Sequence, residues 1–325
     1  MLDMDVRVLS RALDWASDGH TLWLCTVVST YGSSPRAPGS MLVACGDGDY
    51  LGSLSGGCVE EAFIDELRAG AFPAPVEVRR YGDSAEESAR LALPCGGVLE
   101  VLIERREATA EWRTHLQALQ EALLGQRRQV RHVTPASGDY HLADDETTGS
   151  GHRVARRADS VSIRVGPAVR LILAGISPVA EACAQFARTL GYEVIVCDPR
   201  RELCRTFAVE GVPLEPTLPS LYIASGACHD ATAVVALTHD PRIDDLAMIE
   251  AVRTPAFYIG VMGSRKTSDD RATRLMRSGG LTEADLARIH MPIGLDLGSK
   301  TPAEIALAVV ADIMRTHNGR ARDAL

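Results

Sequence analysis

The chain has 325 residues, a formal net charge of −9 and a hydrophobic fraction of 46%. That length and apolar content suit two domains with separate cores, and the acidic balance argues against nucleic acid or an anionic membrane as a partner. Because no leader pattern and no stretch of roughly 18 uncharged apolar residues is evident, we expect a cytoplasmic protein.

Residues 1–107 are predicted to form a mixed α+β domain. Apolar residues at helical spacing predict a helix over Val6–Ala16, and β-branched residues predict a strand over Thr21–Thr30. The further elements expected in this domain are strands at Met41–Cys45 and Tyr50–Leu54, a helix at Cys58–Arg68, and strands at Val76–Tyr81 and Val98–Glu104.

Two cysteines of this domain lie in mirrored glycine turns, Gly56-Gly57-Cys58 and Cys95-Gly96-Gly97. Glycine leaves room for a bound group and permits positive φ, so each sulfur suits a soft ligand or sulfur transfer. Cys58 also begins a predicted helix, whose unpaired amides and dipole favour the thiolate. Because the carboxylates of Glu60 and Glu61 oppose this effect, we expect modest activation. The alternative is that both cysteines are buried packing residues.

Residues 108–160 are predicted to form a connector or insertion. A helix is expected over Ala110–Leu124, followed by an arginine-containing strand, whereas Pro135–Asp159 is polar and lacks periodicity. The histidines in and near this segment match no metal-ligand spacing.

Residues 161–325 are predicted to form a Rossmann-like, doubly wound domain, which makes the fold class α/β. Apolar strands alternate with amphipathic helices, as in a parallel sheet covered on both faces. The expected strands are Val169–Ala174, Val194–Asp198, Ala233–Thr238 and Ala256–Gly260, and the expected helices are Val179–Leu190 and Ile243–Val252. Thr301 and Glu304 form a predicted capping box at the start of a last helix.

The loop after the first of these strands is an altered dinucleotide-binding turn. It begins with Gly175, but Ser177 replaces a glycine and Pro178 removes an amide donor from the helix start. Asp198 stands where such folds place a ribose-binding acid. An NAD(P)-dependent oxidoreductase is therefore one alternative, weakened by the damaged phosphate cradle.

Two further loops follow strand ends, where open α/β sheets hold their ligands. His239 lies in the first loop and is a candidate general base. The second loop, Gly263-Ser264-Arg265-Lys266, leads into a helix and combines a glycine, a hydroxyl and two cations. This arrangement predicts an anion site in which Gly263 supplies space or positive φ, with solvated first-turn cations as the alternative.

Taken in order, seven motifs resemble those of the XdhC/CoxI family, accessory proteins for molybdenum hydroxylases such as xanthine dehydrogenase. The resemblance extends over nearly the whole chain, but family members commonly carry Gly-Ala-Gly-His where this chain has Gly175–Pro178. The motifs are Gly32–Met41, Gly52–Glu60, Leu93–Gly97, Val196–Arg200, Leu237–Asp240, Tyr258–Arg265 and His290–Gly298.

The resemblance implies a cytoplasmic, often dimeric maturation factor without turnover of its own. Such a protein transiently binds the molybdenum cofactor, a molybdopterin, and protects it. It assists sulfuration by a cysteine desulfurase and delivers the cofactor to an apo-hydroxylase. Whether the cofactor is bound in a nucleotide form is left open.

A molybdopterin carries a phosphate and dithiolene sulfurs, so its carrier needs an anion site and a soft side chain near the metal. We assign the phosphate to Ser264, Arg265 and Lys266, and place Cys58 and Cys95 near molybdenum or the delivered sulfur. The other predicted cofactor-binding residues, expected to share a cleft with these, are Ser33, Ser34, Arg36, Gly57, Gly96, Gly175, Asp198, His239 and Gly263. A reversible Cys58–Cys95 disulfide in a redox sensor is the second alternative.

Overall fold

The computed structural model describes residues 4–31, 36–83, 98–125, 128–145 and 153–322. The chain divides into two compact units, an N-terminal unit from Met4 to Gly166 and a C-terminal unit that begins at Pro167. Within the described ranges, no helix has both the length and the apolar character that crossing a membrane requires.

The N-terminal unit is built on a five-stranded antiparallel sheet of order β3-β2-β1-β5-β4. Its elements are α1 (Met4–Ser17), β1 (Leu22–Thr30), β2 (Met41–Cys45), β3 (Tyr50–Gly52), α2 (Cys58–Arg68), β4 (Val76–Tyr81), β5 (Leu99–Arg106) and α3 (Ala110–Leu124). The helices and strands predicted from sequence in this part agree with these bounds to within a few residues.

Both faces of this sheet are covered, which explains why β1 is buried along most of its length. Leu22 and Leu24 face a core shared with α1 and α3. Cys25 and Val27, which point to the other face, pack in a second core with Phe63 of α2. The alternation of side chains along a strand thus places one strand in two cores.

Residues 108–160, expected as a connector or insertion with one helix and one strand, contain that helix, α3, and most of a four-stranded antiparallel sheet of order β7-β6-β9-β8. Its strands are β6 (Gln129–Thr134), β7 (Asp139–Asp144), β8 (Val154–Arg156) and β9 (Val161–Val165). The edge strands β7 and β8 are polar, and most of their residues are exposed or half-buried. Because neither strand shows clear hydrophobic alternation, sequence periodicity did not reveal them.

A buried ionic cluster joins the two sheets of the N-terminal unit. Glu104 of β5 is fully buried and accepts two hydrogen bonds from Arg131 of β6, at 2.6 and 2.8 Å, and one from Arg106 at 2.7 Å. Arg131 Nε also donates to His115 Nε2 of α3 at 2.9 Å. Burial and the neighbouring guanidinium lower the pKa of His115 to about 3, so its ring stays neutral and can accept this bond.

The C-terminal unit is a six-stranded parallel sheet of order β12-β11-β10-β13-β14-β15, which confirms the Rossmann-like prediction. Its strands are β10 (Arg170–Ala174), β11 (Glu193–Cys197), β12 (Leu214–Glu215), β13 (Thr232–Ala236), β14 (Tyr258–Val261) and β15 (Ile289–His290). Its helices are α4 (Pro178–Thr189), α5 (Arg201–Thr206), α6 (Pro219–Tyr222), which continues into a π-helical turn (Ile223–Ala227), α7 (Pro241–Ala251), α8 (Arg265–Gly279), α9 (Glu283–Ala287) and α10 (Pro302–His317).

Helices cover both faces of this parallel sheet. One core packs α4 and α10 against residues such as Leu171 and Val235, and the opposite core packs α7 against Ile172 and Val234. Since neighbouring residues of each strand belong to different cores, the strands are apolar throughout, as the sequence pattern indicated.

Candidate functional site

A wide concavity of the C-terminal unit lies at the carboxyl ends of its strands. Its volume is about 910 Å³, and it is lined by the segments that follow β13, β14 and β15 together with part of α10. The lining residues are His239, Met262–Arg265, Ala287, Ile289–Ser299, Ile305, Ala308 and Arg322. Its position matches the edge at which open α/β sheets bind ligands.

His239 is one wall of this cavity and has an unusual backbone. Its φ of 66° is left-handed, and no other non-glycine residue in the described ranges has a positive φ. The preceding Thr238 donates its hydroxyl to Asp244 Oδ1 at 2.6 Å, and Asp240 donates its amide to the Thr238 hydroxyl at 3.0 Å. This conformation costs about 1–2 kcal/mol, so the surrounding contacts hold the imidazole at the cavity against a local preference.

A buried arginine connects the loop of His239 with the loop after β14. Arg271 of α8 is 2% exposed and donates to the Met262 carbonyl at 2.8 Å and to Asp245 at 3.0 Å. It also pairs with Asp244, the carboxylate that holds Thr238. Asp244, Asp245 and Arg271 therefore fix two walls of the cavity relative to each other.

The loop predicted to bind an anion forms a third part of the wall. Ser264 caps α8 by accepting the Thr267 amide at 3.1 Å, and both Ser264 and Arg265 line the cavity. Lys266 does not belong to the lining. The first amides of a helix have no intrahelical acceptor, so the start of α8 presents donors beside the Arg265 cation.

Gly263 differs from its expected role. Its φ is not positive, and a Cβ placed on it would meet Thr267, Ser268 and Arg271 atoms at ordinary distances of 3.4–3.5 Å. The expectation that this residue needs a left-handed backbone is therefore wrong, and the space beside its Cα is filled by neighbouring side chains. One of them, the Ser268 hydroxyl, is buried without a hydrogen-bond partner in the described part of the chain.

Sequence reasoning gave no role to His290, although the residue ends β15 and lines the cavity. Its Nδ1 lies 3.5 Å from Oδ2 of Asp312, a fully buried carboxylate of α10. Tyr258 and Arg315 donate to the same carboxylate, each at 2.8 Å. The available signal was Asp312 itself, an acid within the apolar stripe of a helix, since a buried carboxylate requires donors.

The altered dinucleotide turn is closed by the chain's own side chains. Asp198 is fully buried and accepts the Ile176 amide at 2.6 Å and the Arg200 amide at 2.7 Å. The Arg200 guanidinium also donates to both oxygens of Asp198 and to the Ile176 carbonyl. Gly175, with φ 94°, lies against Thr238. Gly175 and Asp198 stand outside the cavity lining, and Arg200 already donates to both oxygens of Asp198.

The Gly56-Gly57-Cys58 turn is organised by Glu60. This carboxylate accepts hydrogen bonds from the amides of residues 54–57 at 2.7–3.0 Å and from the hydroxyls of Ser53 and Ser55 at 2.7 and 2.6 Å. These amides precede α2, and of the helix's own first amides that of Val59 donates to the Ser55 hydroxyl at 3.2 Å. The expectation that free amides at the helix start favour the Cys58 thiolate stays a prediction. The positive φ of Gly56 and Gly57, 95° and 157°, confirms that the turn uses the conformational freedom of glycine.

The remaining predicted site residues are only partly described. Ser33, Ser34, Cys95 and Gly96 lie outside the described residues, as does the side chain of Cys58. Arg36 is half-buried in the N-terminal unit. The shared cleft and the roles of both cysteines stay predictions. Cys183 and Cys197 are fully buried free thiols and pack in the cores of the C-terminal unit, whereas Cys204 is half-buried.

These observations define a two-unit protein with a Rossmann-type domain that has a cavity at the carboxyl ends of its strands. The XdhC Rossmann domain model matches residues 171–313, and the XdhC and CoxI family model matches residues 15–82. Together the two matches span more than half of the chain, one in each unit. The protein belongs to the XdhC and CoxI family.

Two relatives are similar over nearly the full length. A protein of Bacillus subtilis described as a probable xanthine dehydrogenase subunit is 27% identical, and the match covers 90% of this chain and 92% of the relative. The molybdenum cofactor insertion chaperone PaoD of Escherichia coli is 28% identical, with coverages of 94% and 86%. A crystal structure described as a xanthine dehydrogenase from Bacillus halodurans has the same fold, with a TM-score of 0.75, 22% identity, and coverages of 99% and 98%.

Proposed function

We propose that this protein carries a molybdenum cofactor, which it binds in the cavity of the C-terminal unit and delivers to a molybdenum hydroxylase of the xanthine dehydrogenase type. The observation that carries the proposal is the cavity itself, because it combines about 910 Å³ of space with a helix start and the Arg265 cation at one wall. The names of the two relatives support the same role.

The start of α8 suits the phosphate of the cofactor. Ser264 and Arg265 border the cavity, and the amides of the first turn point toward the helix start. Lys266 adds a second cation to the same turn and acts through its charge, since it lies outside the lining.

The proposal also covers the delivery of sulfur to the cofactor and the oligomeric state of the protein. Cys58 and Cys95 accept or shield the sulfur that a cysteine desulfurase delivers to molybdenum, with Glu60 fixing the turn from which Cys58 begins α2. Ser33, Ser34 and Arg36 form a second polar loop for the cofactor. The protein protects the cofactor until transfer, works in the cytoplasm as a homodimer, and has no turnover of its own.

The principal alternative, an NAD(P)-dependent oxidoreductase, has less support. An acid that recognises ribose must leave its oxygens accessible to the two hydroxyls. Here Asp198 is buried, and its oxygens accept bonds from Arg200 and Ile176. The preparation that tests the cofactor proposal can also be assayed for bound NAD(P), so one experiment distinguishes the two functions.

The test is to copurify the protein from a host with an intact molybdenum cofactor pathway and to measure molybdenum and oxidised pterin fluorescence. We expect near-stoichiometric values for the wild type and an affinity at least about tenfold weaker for Arg265→Ala, because a charge-assisted hydrogen bond contributes roughly 1.5–3 kcal/mol. Arg277→Ala is the matched control, since Arg277 is an exposed cation on the same helix and away from the cavity. Stoichiometric NAD(P) without pterin or molybdenum would refute the proposal.

A further inference from the structure

His290 differs from the other polar groups of the cavity in how firmly its ring is held. The imidazole stacks on Tyr258 with ring centroids 4.2 Å apart and an interplanar angle of 23°. Its Nδ1 faces the buried carboxylate of Asp312 at 3.5 Å. Stacking fixes the plane of the ring, and the carboxylate fixes its rotation within that plane.

The partners of Asp312 decide which ring nitrogen carries the proton. The Tyr258 hydroxyl and the Arg315 guanidinium donate to this carboxylate. Burial alone would raise its pKa, but hydrogen bonds from His290, Arg315 and Tyr258 to the ionised form hold that pKa low. A carboxylate can only accept, so Asp312, 3.5 Å from Nδ1, favours the tautomer of His290 that carries its proton on Nδ1 and leaves Nε2 as an acceptor. Among the described residues Nε2 has no hydrogen-bond partner.

The surroundings of His290 give the cavity two chemically different ends. Arg265 and the start of α8 provide donors and positive charge at one wall, whereas the carboxylate-oriented imidazole provides an acceptor at the end of β15. The apolar side chains of Met262 and Ile293 also line the cavity. A ligand with an anionic group and a flat heterocycle bearing N–H groups matches both ends.

We propose that His290 binds the heterocyclic part of the ligand, accepting a hydrogen bond at Nε2 from a ring N–H or an exocyclic amino group, while Asp312 acts as its positioning residue. The inference rests on the proposed function in one respect, since a pterin is the heterocycle in question. It adds the orientation of the ligand: phosphate toward the start of α8, ring toward β15.

The test measures binding of free pterin (2-amino-4-hydroxypteridine) to the purified full-length protein by calorimetry. His290→Asn keeps a donor in the position of Nδ1 for Asp312 but removes the acceptor at Nε2, whereas His290→Gln places an amide near the position of Nε2. We expect about fivefold to tenfold weaker binding for His290→Asn and at least partial recovery for His290→Gln, because one such hydrogen bond is worth about 1 kcal/mol. His317→Asn, at the exposed end of α10, should bind as the wild type does.

A second measurement identifies which nitrogen of the His290 ring carries the proton, with and without ligand. Long-range ¹H–¹⁵N spectra of the wild type should show His290 as the Nδ1–H tautomer, and pterin should shift its Nε2 resonance while inorganic phosphate should not. Equal pterin affinity of wild type and His290→Asn, an Nε2–H tautomer, or no pterin binding by the wild type would each overturn the inference. If pterin binds through His290 but no molybdenum cofactor copurifies, the inference stands and the proposed function fails.

Discussion

Replacing Glu60 by glutamine tests whether one carboxylate holds the glycine turn that leads into α2. Glu60 is 3% exposed and accepts hydrogen bonds from six donors between Ser53 and Gly57. These donors all point inward to a single negative charge. Glutamine has nearly the same shape but no charge, and its amino group would face N–H donors instead of accepting from them.

The pKa of Glu60 sets the size and the pH dependence of the effect. Burial raises this pKa, but hydrogen bonds from Ser55, Ser53 and Gly56 outweigh burial and lower it from 4.5 to about 2. A shift of that size corresponds to about 3 kcal/mol of stability. Because the folded-state pKa is the lower one, the stabilisation is complete above about pH 4.5 and is lost as the pH falls through about 2.

The assay is urea denaturation of the full chain, followed by tryptophan fluorescence. All three tryptophans, Trp15, Trp23 and Trp112, belong to the N-terminal unit, so the signal reports on the unit that contains Glu60. We expect Glu60→Gln to lower the free energy of unfolding by about 2–3 kcal/mol at pH 7. The difference from the wild type should shrink as the pH falls from 5 toward 2.

The matched control is Glu61→Gln, a change of the same charge at the neighbouring, exposed position of the same helix turn. Its effect should stay within about 0.5 kcal/mol at every pH. If the two variants unfold at the same urea concentration, or if the effect of Glu60→Gln is the same at pH 7 and pH 3, the carboxylate does not hold the turn.

Two other changes test packing and the buried ionic cluster. Gly175→Ala should destabilise the C-terminal unit by about 2–4 kcal/mol, because its left-handed φ is strained for alanine and the new Cβ would stand 2.1 Å from Thr238 Cγ2. Gly263→Ala, the control, should change stability by less than about 1 kcal/mol. Thermal unfolding followed by circular dichroism compares the two variants, and equal losses of stability would contradict the close packing of Gly175 against Thr238. Glu104→Gln should destabilise the N-terminal unit by about 3–5 kcal/mol, because Arg131 would lose its buried counter-charge. Urea denaturation followed by tryptophan fluorescence measures this loss, and a midpoint close to that of the wild type would show that the ion pair is dispensable.

The parallel sheet and the loops at its carboxyl edge were predictable because both depend on local patterns. The strands of the C-terminal unit are apolar runs between amphipathic helices, and the loops of His239 and Ser264 were placed at strand ends from that pattern alone. The polar edge strands of the N-terminal unit were not predictable in this way, since β7 and β8 carry no regular apolar alternation.

The contacts that shape the candidate site could not be read from sequence because they join residues whose proximity depends on tertiary packing. His290 and Asp312 are brought together only when α10 packs beside β14 and β15. Glu60 is close to its loop in sequence, but its charge suggested repulsion from the Cys58 thiolate rather than capture of the amides before it. Side-chain direction, not residue type, decided both outcomes.

Two buried carboxylate networks make the cavity walls rigid before any ligand arrives. Asp244 holds the loop of His239 and reaches, through Arg271, the loop before α8. Asp312 holds the ring of His290 from the opposite side of the sheet's carboxyl edge. Side chains ordered in advance lose little conformational freedom on binding. For the carrier role proposed above, such walls favour retention of an unstable ligand through few direct contacts, and we propose that release depends on a partner that competes for the ligand rather than on a rearrangement of the walls.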